Sequence, residues 1–303
     1  MKLKATAALH SILCVLLLAS VSLAQELGAQ FEKINDGIFT YVGTSGESNC
    51  TIILTQDGVV LIDSGNNPKD SYAVLDALKK LTSQPVRLLI NTEPHADHST
   101  GHFVFSPPAI IVAAAGAGES MRGSNIVQRV EKLVAEKPEL RSQYEGYRMI
   151  TPHIEYRDRA TLSVGERTIE LFYLKNVHSE ADTAIWLPKE RVLFPAASVG
   201  VKRLNNLRAN VSIPDTLSAI KMMKALNPDV VIPGHGQPGT AQILEDNERY
   251  YNLLVDRVKQ LVQQGKSLEQ VKQELKMPEI DAWAGKDRFP NNVEAAYRAA
   301  KGS

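Results

Sequence analysis

The sequence predicts an α/β protein built as a four-layer α/β/β/α sandwich with extra C-terminal helices. Three observations carry this reading. Apolar residues follow strand periodicity from Phe31 onward, two successive blocks each run from several strands into a helix and a last strand, and the chain beyond Ala241 shows helical spacing alone. With 303 residues, 44% hydrophobic and 22% charged, the chain can bury a large core, which sets aside disordered, collagen-like and disulfide-scaffold classes.

The first element is a targeting signal rather than part of the fold. Lys2 and Lys4 precede the apolar run Leu9 to Leu18 and the small-residue stretch Ala19 to Ala24, the three-part pattern of a cleavable export signal. About 10 apolar residues are too few to span a bilayer, which takes about 20. Residues 1–24 are therefore expected to be cleaved, leaving a periplasmic or secreted protein with no membrane anchor. Cleavage removes two lysines and no acid from a balance of 34 basic and 34 acidic groups, so the mature chain is close to neutral. That balance gives no footprint for a nucleic-acid partner. Cys50 is then the sole cysteine and excludes an internal disulfide; it lies in the strand-like run Asn49 to Leu54 and reads as a buried, inert thiol.

The first block opens as a meander, Gly37–Val42, Cys50–Leu54 and Val59–Ile62, broken by turn signals such as Gln56–Asp57–Gly58. Ser71 to Leu81 places Tyr72, Leu75, Leu78 and Leu81 at helical spacing, and Val86–Ile90 returns to a buried strand. Ile110–Val112 is a short strand, and Ala117 to Val134 reads as helical with a break near Gly123. The polar stretch from Glu136 to Thr151 reads as an insertion or lid. Strands resume at Ile154–Tyr156, Thr161–Val164, Thr168–Tyr173, Thr183–Leu187 and Val192–Phe194. A helix from Asp215 to Leu226, with Pro214 in its first turn, leads to the strand Val230–Ile232. The rest is helical over Ala241–Gly265, Ser267–Lys276 and Asn291–Ala300. Residues 25–245 are expected to form one catalytic domain, with residues 246–303 a helical extension packed on it.

Chemistry concentrates at strand ends. Glu93–Pro94–His95–Ala96–Asp97–His98 follows the strand Arg87–Ile90, and four potential donors within six residues is a density that metal binding explains better than a solvated acidic turn. His178 precedes the strand Thr183–Leu187, and His235 follows Val230–Ile232 in Pro233–Gly234–His235–Gly236. Of the six histidines after the signal, these four share a strand-end position, as a site assembled from several strands requires. His102 and His153 lack that context and read as surface or helix-end residues. Lys202 and Arg203 read as a solvated loop in preference to a contact for a substrate carboxylate.

The chain resembles the metallo-β-lactamase-fold hydrolases in five separated stretches: Leu61–Gly65, Asn91–Gly101, the His178 segment, Val192–Ser198 and Pro233–Gly236. The resemblance implies the four-layer fold and a centre for one or two zinc ions. It implies that Glu93, His95 and His178 hold the first ion, and that Asp97, His98 and His235 hold the second. Asp97, His95 and His98 would be the catalytic group, acting with a metal-activated water on a scissile carbonyl. Asp63, with Thr92 beside the ligands, would orient a ligating histidine, or Asp63 would simply cap the turn that follows its strand.

Two positions depart from the family's pattern. Glu93 stands where the motif H-x-H-x-D-H begins with His, giving E-x-H-x-D-H, and Ser198 replaces the usual Asp or Cys. Glu with two His is itself a catalytic zinc set, so Glu93 is expected to ligate, with a role behind the ligands as the alternative. Ser198 is a poor zinc ligand and removes a protein bridge, an arrangement that resembles the β-lactamase subclass with Asp-His-His at its second metal. The implied activity is hydrolysis of an amide or ester of a small molecule, with a β-lactam ring the most concrete candidate and a monomer as the expected state. A lactone or thioester uses the same chemistry. A non-haem iron redox enzyme and a metal-poor binding protein are the readings from other classes. Pocket loops around Ala114–Arg122 and Glu145–Arg159 are expected to select the substrate.

Overall fold

A computed structural model describes residues 26–44 and 47–302. The export signal expected over residues 1–24 lies outside the described residues. Strands β1 (Phe31–Asn35), β2 (Ile38–Tyr41), β3 (Cys50–Thr55), β4 (Gly58–Ile62), β5 (Val86–Ile90), β6 (Ile110–Ala114) and β7 (Ile154–Tyr156) form one seven-stranded sheet in sequence order. The first four pair antiparallel as a meander, and β4 to β7 run parallel. Parallel strands need crossovers. The crossover between β4 and β5 is helix α1 (Pro68–Leu81), whose first turn is closed by the Asn67 side chain accepting from the Asp70 N–H at 3.2 Å. It starts three residues before the sequence expectation and buries Val74, Ala77 and Leu78, leaving Tyr72 36% exposed. Leu75, Leu78 and Leu81 of the expected stripe pack with the outer face of the first sheet, and Tyr72 is its exposed member.

After β5 come two single-turn helices, α2 (Ala96–Ser99) and α3 (His102–Phe105). Gly101 lies between them because the chain passes too close to α1 for any side chain: a Cβ there would meet Ser71 Oγ at 2.0 Å and the Ser64 carbonyl at 2.6 Å. Helices α4 (Ala117–Gly123) and α5 (Ile126–Glu136) follow β6, with the break expected near Gly123, and a 3-10 turn spans Pro138–Tyr144.

The second sheet has the order β12-β11-β10-β9-β8, from β8 (Arg159–Val164), β9 (Arg167–Leu174), β10 (Asp182–Leu187), β11 (Val192–Phe194) and β12 (Val230–Val231). Helix α6 (Ile213–Ala225) connects β11 to its parallel neighbour β12, with Ser212 capping its start at Asp215. Helices α7 (Gln242–Gln263), α8 (Leu268–Glu274) and α9 (Phe289–Lys301) complete the chain.

Three apolar clusters define the layers. Ile53, Val60 and Ile90 of the first sheet meet Ile169, Leu171, Ile185 and Phe194 of the second. Val74 and Leu78 of α1 pack with Ile52, Leu61 and Leu89 on the outer face of the first sheet. Ile220, Met223, Leu254, Val258 and Val293 from α6, α7 and α9 pack with Phe172, Trp186 and Leu193 on the outer face of the second. The layer order is α/β/β/α, as expected, and each fully buried Leu, Ile or Val side chain contributes about 1.5–3 kcal/mol. No helix among the described residues is long and apolar enough to cross a membrane.

Two backbone joints close one rim of the sandwich. The Thr183 N–H of β10 donates to the Thr92 carbonyl at 2.7 Å, tying the second sheet to the loop after β5. The Asn49 N–H donates to the Gly234 carbonyl at 2.8 Å, and Ser48 forms an isolated bridge with His235. Those joints bring the ends of β4, β5 and β12 and the start of β10 to one place.

Candidate metal centre

Glu93 is the focus of that rim. It is 1% exposed, and its two carboxylate oxygens face different groups. Oε2 contacts His95 Nδ1 and lies 3.4 Å from His178 Nε2, while Oε1 lies 2.9 Å from His98 Nε2. His98 Nε2 stands 3.3 Å from His235 Nε2, and Asp97 Oδ2 lies 3.5 Å from the first and 3.3 Å from the second. Two sets of donors able to hold a metal ion result, Glu93 with His95 and His178, and Glu93 with His98 and His235. The sequence assigns Glu93 to the first set alone; the fold places it in both, because the side chain enters between the two histidine pairs. Each pair packs edge to face, His95 on His178 and His98 on His235, with ring centroids 5.1 Å apart in both cases.

The residues behind these donors are fully buried. Asp63, in left-handed backbone conformation at φ 57, accepts at Oδ1 from the Thr92 N–H at 2.7 Å and at Oδ2 from the Thr92 hydroxyl at 2.6 Å. Its Oδ2 also lies 2.7 Å from His98 Nδ1. A carboxylate accepts only, so Nδ1 carries the proton and Nε2 turns toward the centre. Asp63 thus stands behind His98, with Thr92 as its partner. Asp182 does for the His178 loop what Asp63 does for His98: its carboxylate accepts from the His178 N–H at 2.7 Å and the Ser179 N–H at 2.8 Å. Ser198 is buried and donates its hydroxyl to the Pro195 carbonyl.

Electrostatics support a cation. Burial opposes the Glu93 charge, yet His178, His98 and His95 hold its carboxyl well below the usual range. Burial likewise opposes a charged His98, while Glu93, Asp63 and Asp97 lift it well above its usual value. His178 is pushed down to about 4 by burial. A buried carboxylate ringed by four imidazoles, with Oε1 facing His98 alone, is stabilised by positive charge beside it. Two carboxylates and four imidazoles fit divalent cations well.

Several residues of the rim are not visible in the motifs. The Asn49 amide donates to the Pro233 and Gly236 carbonyls, both at 2.8 Å, and so fixes the turn that carries His235. Ser48 donates its hydroxyl to the Asp97 carbonyl. His102, expected at the surface or a helix end, opens α3 but is 0% exposed, with Nδ1 donating to the Ile150 carbonyl at 2.9 Å. His153 is exposed. Cys50 is free and buried, and burial first, then the Asp63 and Asp70 charges, raise its thiol well above the usual value, which makes it inert.

A cleft of about 1110 Å³ opens over His95, Asp97, His178 and His235. Its walls are α5, the 3-10 turn and the loop from Ala197 to Arg208. The stretches Ala114–Arg122 and Glu145–Arg159 do not line it, contrary to expectation; the segment between them, from Ile126 to Tyr144, does. Part of the polar insertion, Glu136 to Tyr144, does line it.

The family model of the metallo-beta-lactamase superfamily matches residues 43–235, a span that contains every donor described above. The chain belongs to the metallo-beta-lactamase superfamily. Among its relatives, a type 2 metallo-beta-lactamase of Bacillus sp. (strain 170) is 25% identical over 207 residues, covering 67% of this chain and 72% of that protein. The alkyl/aryl-sulfatase BDS1 of Saccharomyces cerevisiae is 25% identical, covering 88% of this chain and 48% of its own length. Among solved structures, the stereoselective inverting sec-alkylsulfatase Pisa1 from Pseudomonas sp. superposes with a TM-score of 0.68 at 18% identity, over 89% of this chain and 50% of that one. A metallo-beta-lactamase from Pontibacter korlensis superposes with a TM-score of 0.58 at 22% identity, over 73% and 98% of the two chains. The chain therefore spans about half the length of the alkylsulfatases it matches. This superfamily member is an enzyme of the hydrolase class, and its relatives do not favour the redox or binding-protein readings.

Proposed function

We propose that this superfamily member is an exported, zinc-dependent hydrolase that opens an amide or ester bond of a small molecule, with a β-lactam ring as the most concrete candidate. One observation supports it above the rest: Glu93 is buried at the meeting point of His95, His178, His98 and His235, and Asp97 stands beside the latter pair. Glu93, His95 and His178 would hold one ion, and Asp97, His98 and His235 the other, with Glu93 shared between them. Zinc there supplies a Lewis acid for the carbonyl and lowers the pKa of bound water toward neutrality.

The chain's own residues do the rest. Asp63 fixes the His98 tautomer, and Thr92 holds Asp63 through both its N–H and its hydroxyl. Asp97, whose side chain is 36% exposed, faces the cleft and takes up the proton released as water attacks. The buried shell of Glu93, His98 and Asp63 keeps bulk water from the inner side of the centre, so the charges there act at reduced screening. Lactones and thioesters fall within the same chemistry, since each presents a carbonyl to the same donor set.

Reconstitution of the full chain with zinc, followed by turnover of nitrocefin and of a panel of esters and lactones, tests the reading. Turnover of at least one class, abolished by chelation and restored by zinc, is expected. Absence of turnover across all classes by metal-loaded protein contradicts it.

A further inference from the structure

Helix α5 differs from the other long helices of the described fold. Ile126, Val127, Val130, Leu133 and Val134 recur at helical spacing along it and make an apolar stripe. Residues of α1, α6, α7 and α9 enter the three apolar clusters of the sandwich, whereas none of these five does. Only Ile126 and Val130 of α5 are buried, and the 3-10 turn that follows buries no residue at all. Polar contacts do not compensate. The ion pair of α5, Lys132 with Glu136 at 3.7 Å, lies within the helix, and among the described residues no α5 side chain bonds to a group outside it.

Space lies on both sides of the helix. The cleft over the metal centre takes in Ile126, Val130 and Leu133. A second hollow, of about 960 Å³, is lined by Val127, Val134 and Ala135 of α5 and by Tyr147 and Met149 of the arm beyond the 3-10 turn. Val130 and Tyr144 border both spaces. Packed interiors leave few voids larger than one water molecule, so α5 stands as a partition between two hollows and is not a layer of the sandwich.

Glycines flank this segment. At Gly123 and at Gly146 a Cβ would meet nothing within 4 Å, and Gly146 takes φ +72, a backbone angle that glycine adopts without strain. Beyond each glycine the chain is fixed. On the N-terminal side Ala117 lies in the core between the sheets and Met121 is 1% exposed. On the C-terminal side the Tyr147 ring meets the Phe103 ring edge to face at 5.4 Å, Arg148 Nη2 donates to the Ser106 carbonyl at 3.4 Å, and His102 Nδ1 donates to the Ile150 carbonyl at 2.9 Å. The cleft wall that contains Arg203 and Arg288 is fixed as well: the Leu204 N–H donates to the Ala284 carbonyl at 3.0 Å, and Arg288 Nη1 donates to the Leu204 carbonyl at 2.9 Å. Hinge motions concentrate at a few backbone positions between rigid parts, and the two glycines occupy such positions.

The geometry points to a hinged lid: residues 124–145 swing as one piece about Gly123 and Gly146, between a seat in the hollow behind α5 and a seat over the metal centre. In the first seat Val127, Val134 and Ala135 pack on Tyr147 and Met149. In the second, Ile126 and Leu133 cover the cleft and exclude water from it. Each seat buries one half of the same apolar stripe, so the two differ little in free energy and both are populated. The motion goes beyond the hydrolase reading and needs no turnover to be seen.

Double electron–electron resonance on the full, zinc-loaded chain tests it. Cys14→Ser removes one thiol and Cys50 is buried, so nitroxides attach only at introduced cysteines. One pair is Gln128→Cys on α5 with Lys221→Cys on α6, and a control pair joins Lys79→Cys on α1 to Lys221→Cys; all three positions are exposed. The α5 pair is expected to give two distance populations and the control pair one. Gly123→Ala combined with Gly146→Asn stiffens the hinges without a clash, since both sites have room and asparagine tolerates a positive φ, and it should narrow the α5 distribution toward that of the control. Ala135→Trp fills the rear hollow and should remove one population while leaving the other in place. The control pair, measured in each variant, reports an intact body. A single α5 population as narrow as the control overturns the lid. So do two populations that the hinge variant leaves as broad, or whose ratio Ala135→Trp leaves unchanged. The distances are read without substrate, so a static α5 would leave the hydrolase reading standing, and absence of turnover would leave the lid standing.

Discussion

The Thr183 N–H donates to the Thr92 carbonyl at 2.7 Å, and this bond between β10 and the loop after β5 places His178 beside Glu93. The two donors come from different sheets, 85 positions apart in the chain, and they share one site because the sheets are joined at this point. Most of the sandwich packing is apolar and non-directional; this bond, like the Asn49–Gly234 joint, is directional and helps set the register of one sheet on the other.

Removal of the Glu93 charge is expected to affect both donor sets. Because one oxygen faces each, Glu93→Gln or Glu93→Ala should lower zinc content by nearly two equivalents, whereas Asp97→Ala should lower it by one. Elemental analysis after dialysis against trace zinc checks this, and loss of a single equivalent from the Glu93 variants assigns it to one set.

Replacement of Asp63 by Asn removes an acceptor that three donors use within 2.7 Å. The Asn amide cannot accept at both positions, so His98 loses its fixed tautomer. Zinc affinity is expected to fall about 10- to 100-fold, and competition with a chelator reads it directly. An unchanged affinity would return Asp63 to the role of a turn cap.

The turn carrying His235 depends on Asn49. In Asn49→Ala, the Pro233 and Gly236 carbonyls lose their donor and the Gly43 N–H its acceptor. A loss of about 2–3 kcal/mol in denaturant unfolding is expected, together with weaker metal retention. Wild-type stability in that variant would show that the turn holds itself.

Stability should depend on pH through His102. Burial pushes it down from 6.5 to about 4. The unfolded chain takes up a proton near pH 6.5 that the folded chain refuses until about pH 4, so this contribution is complete above pH 6.5 and declines as pH falls through that window. The full loss is about 3 kcal/mol. His102→Asn keeps a donor for the Ile150 carbonyl and has nothing to titrate, so its unfolding free energy should fall less steeply between pH 6.5 and 4 than that of wild type. Parallel curves would show that His102 titrates normally in the folded state.

The layers and the donor cluster were legible because both are written locally. Strand alternation and helical spacing need only neighbours in sequence, and Glu93, His95, Asp97 and His98 lie within six positions of one another. What was not legible depends on approach between distant segments. Whether Glu93 serves one set or two is decided by how His98 and His235 meet its second oxygen, which no spacing encodes. Arg288, in the charged run Lys286–Asp287–Arg288, looks like any solvated turn until Gly285 brings its stem against Arg203. His102 and Asn49 are single polar residues whose burial comes from tertiary contact, and Tyr72 shows the converse, an apolar ring at helical spacing that the packing leaves exposed.

Anomalous diffraction at the zinc edge, from crystals of the zinc-loaded chain, addresses the shared carboxylate most directly. Two peaks are expected on either side of Glu93, each within about 2.0–2.2 Å of one of its oxygens, one beside His95 and His178 and the other beside His98 and His235. A single peak, or two peaks of which only one lies within bonding distance of Glu93, would contradict it.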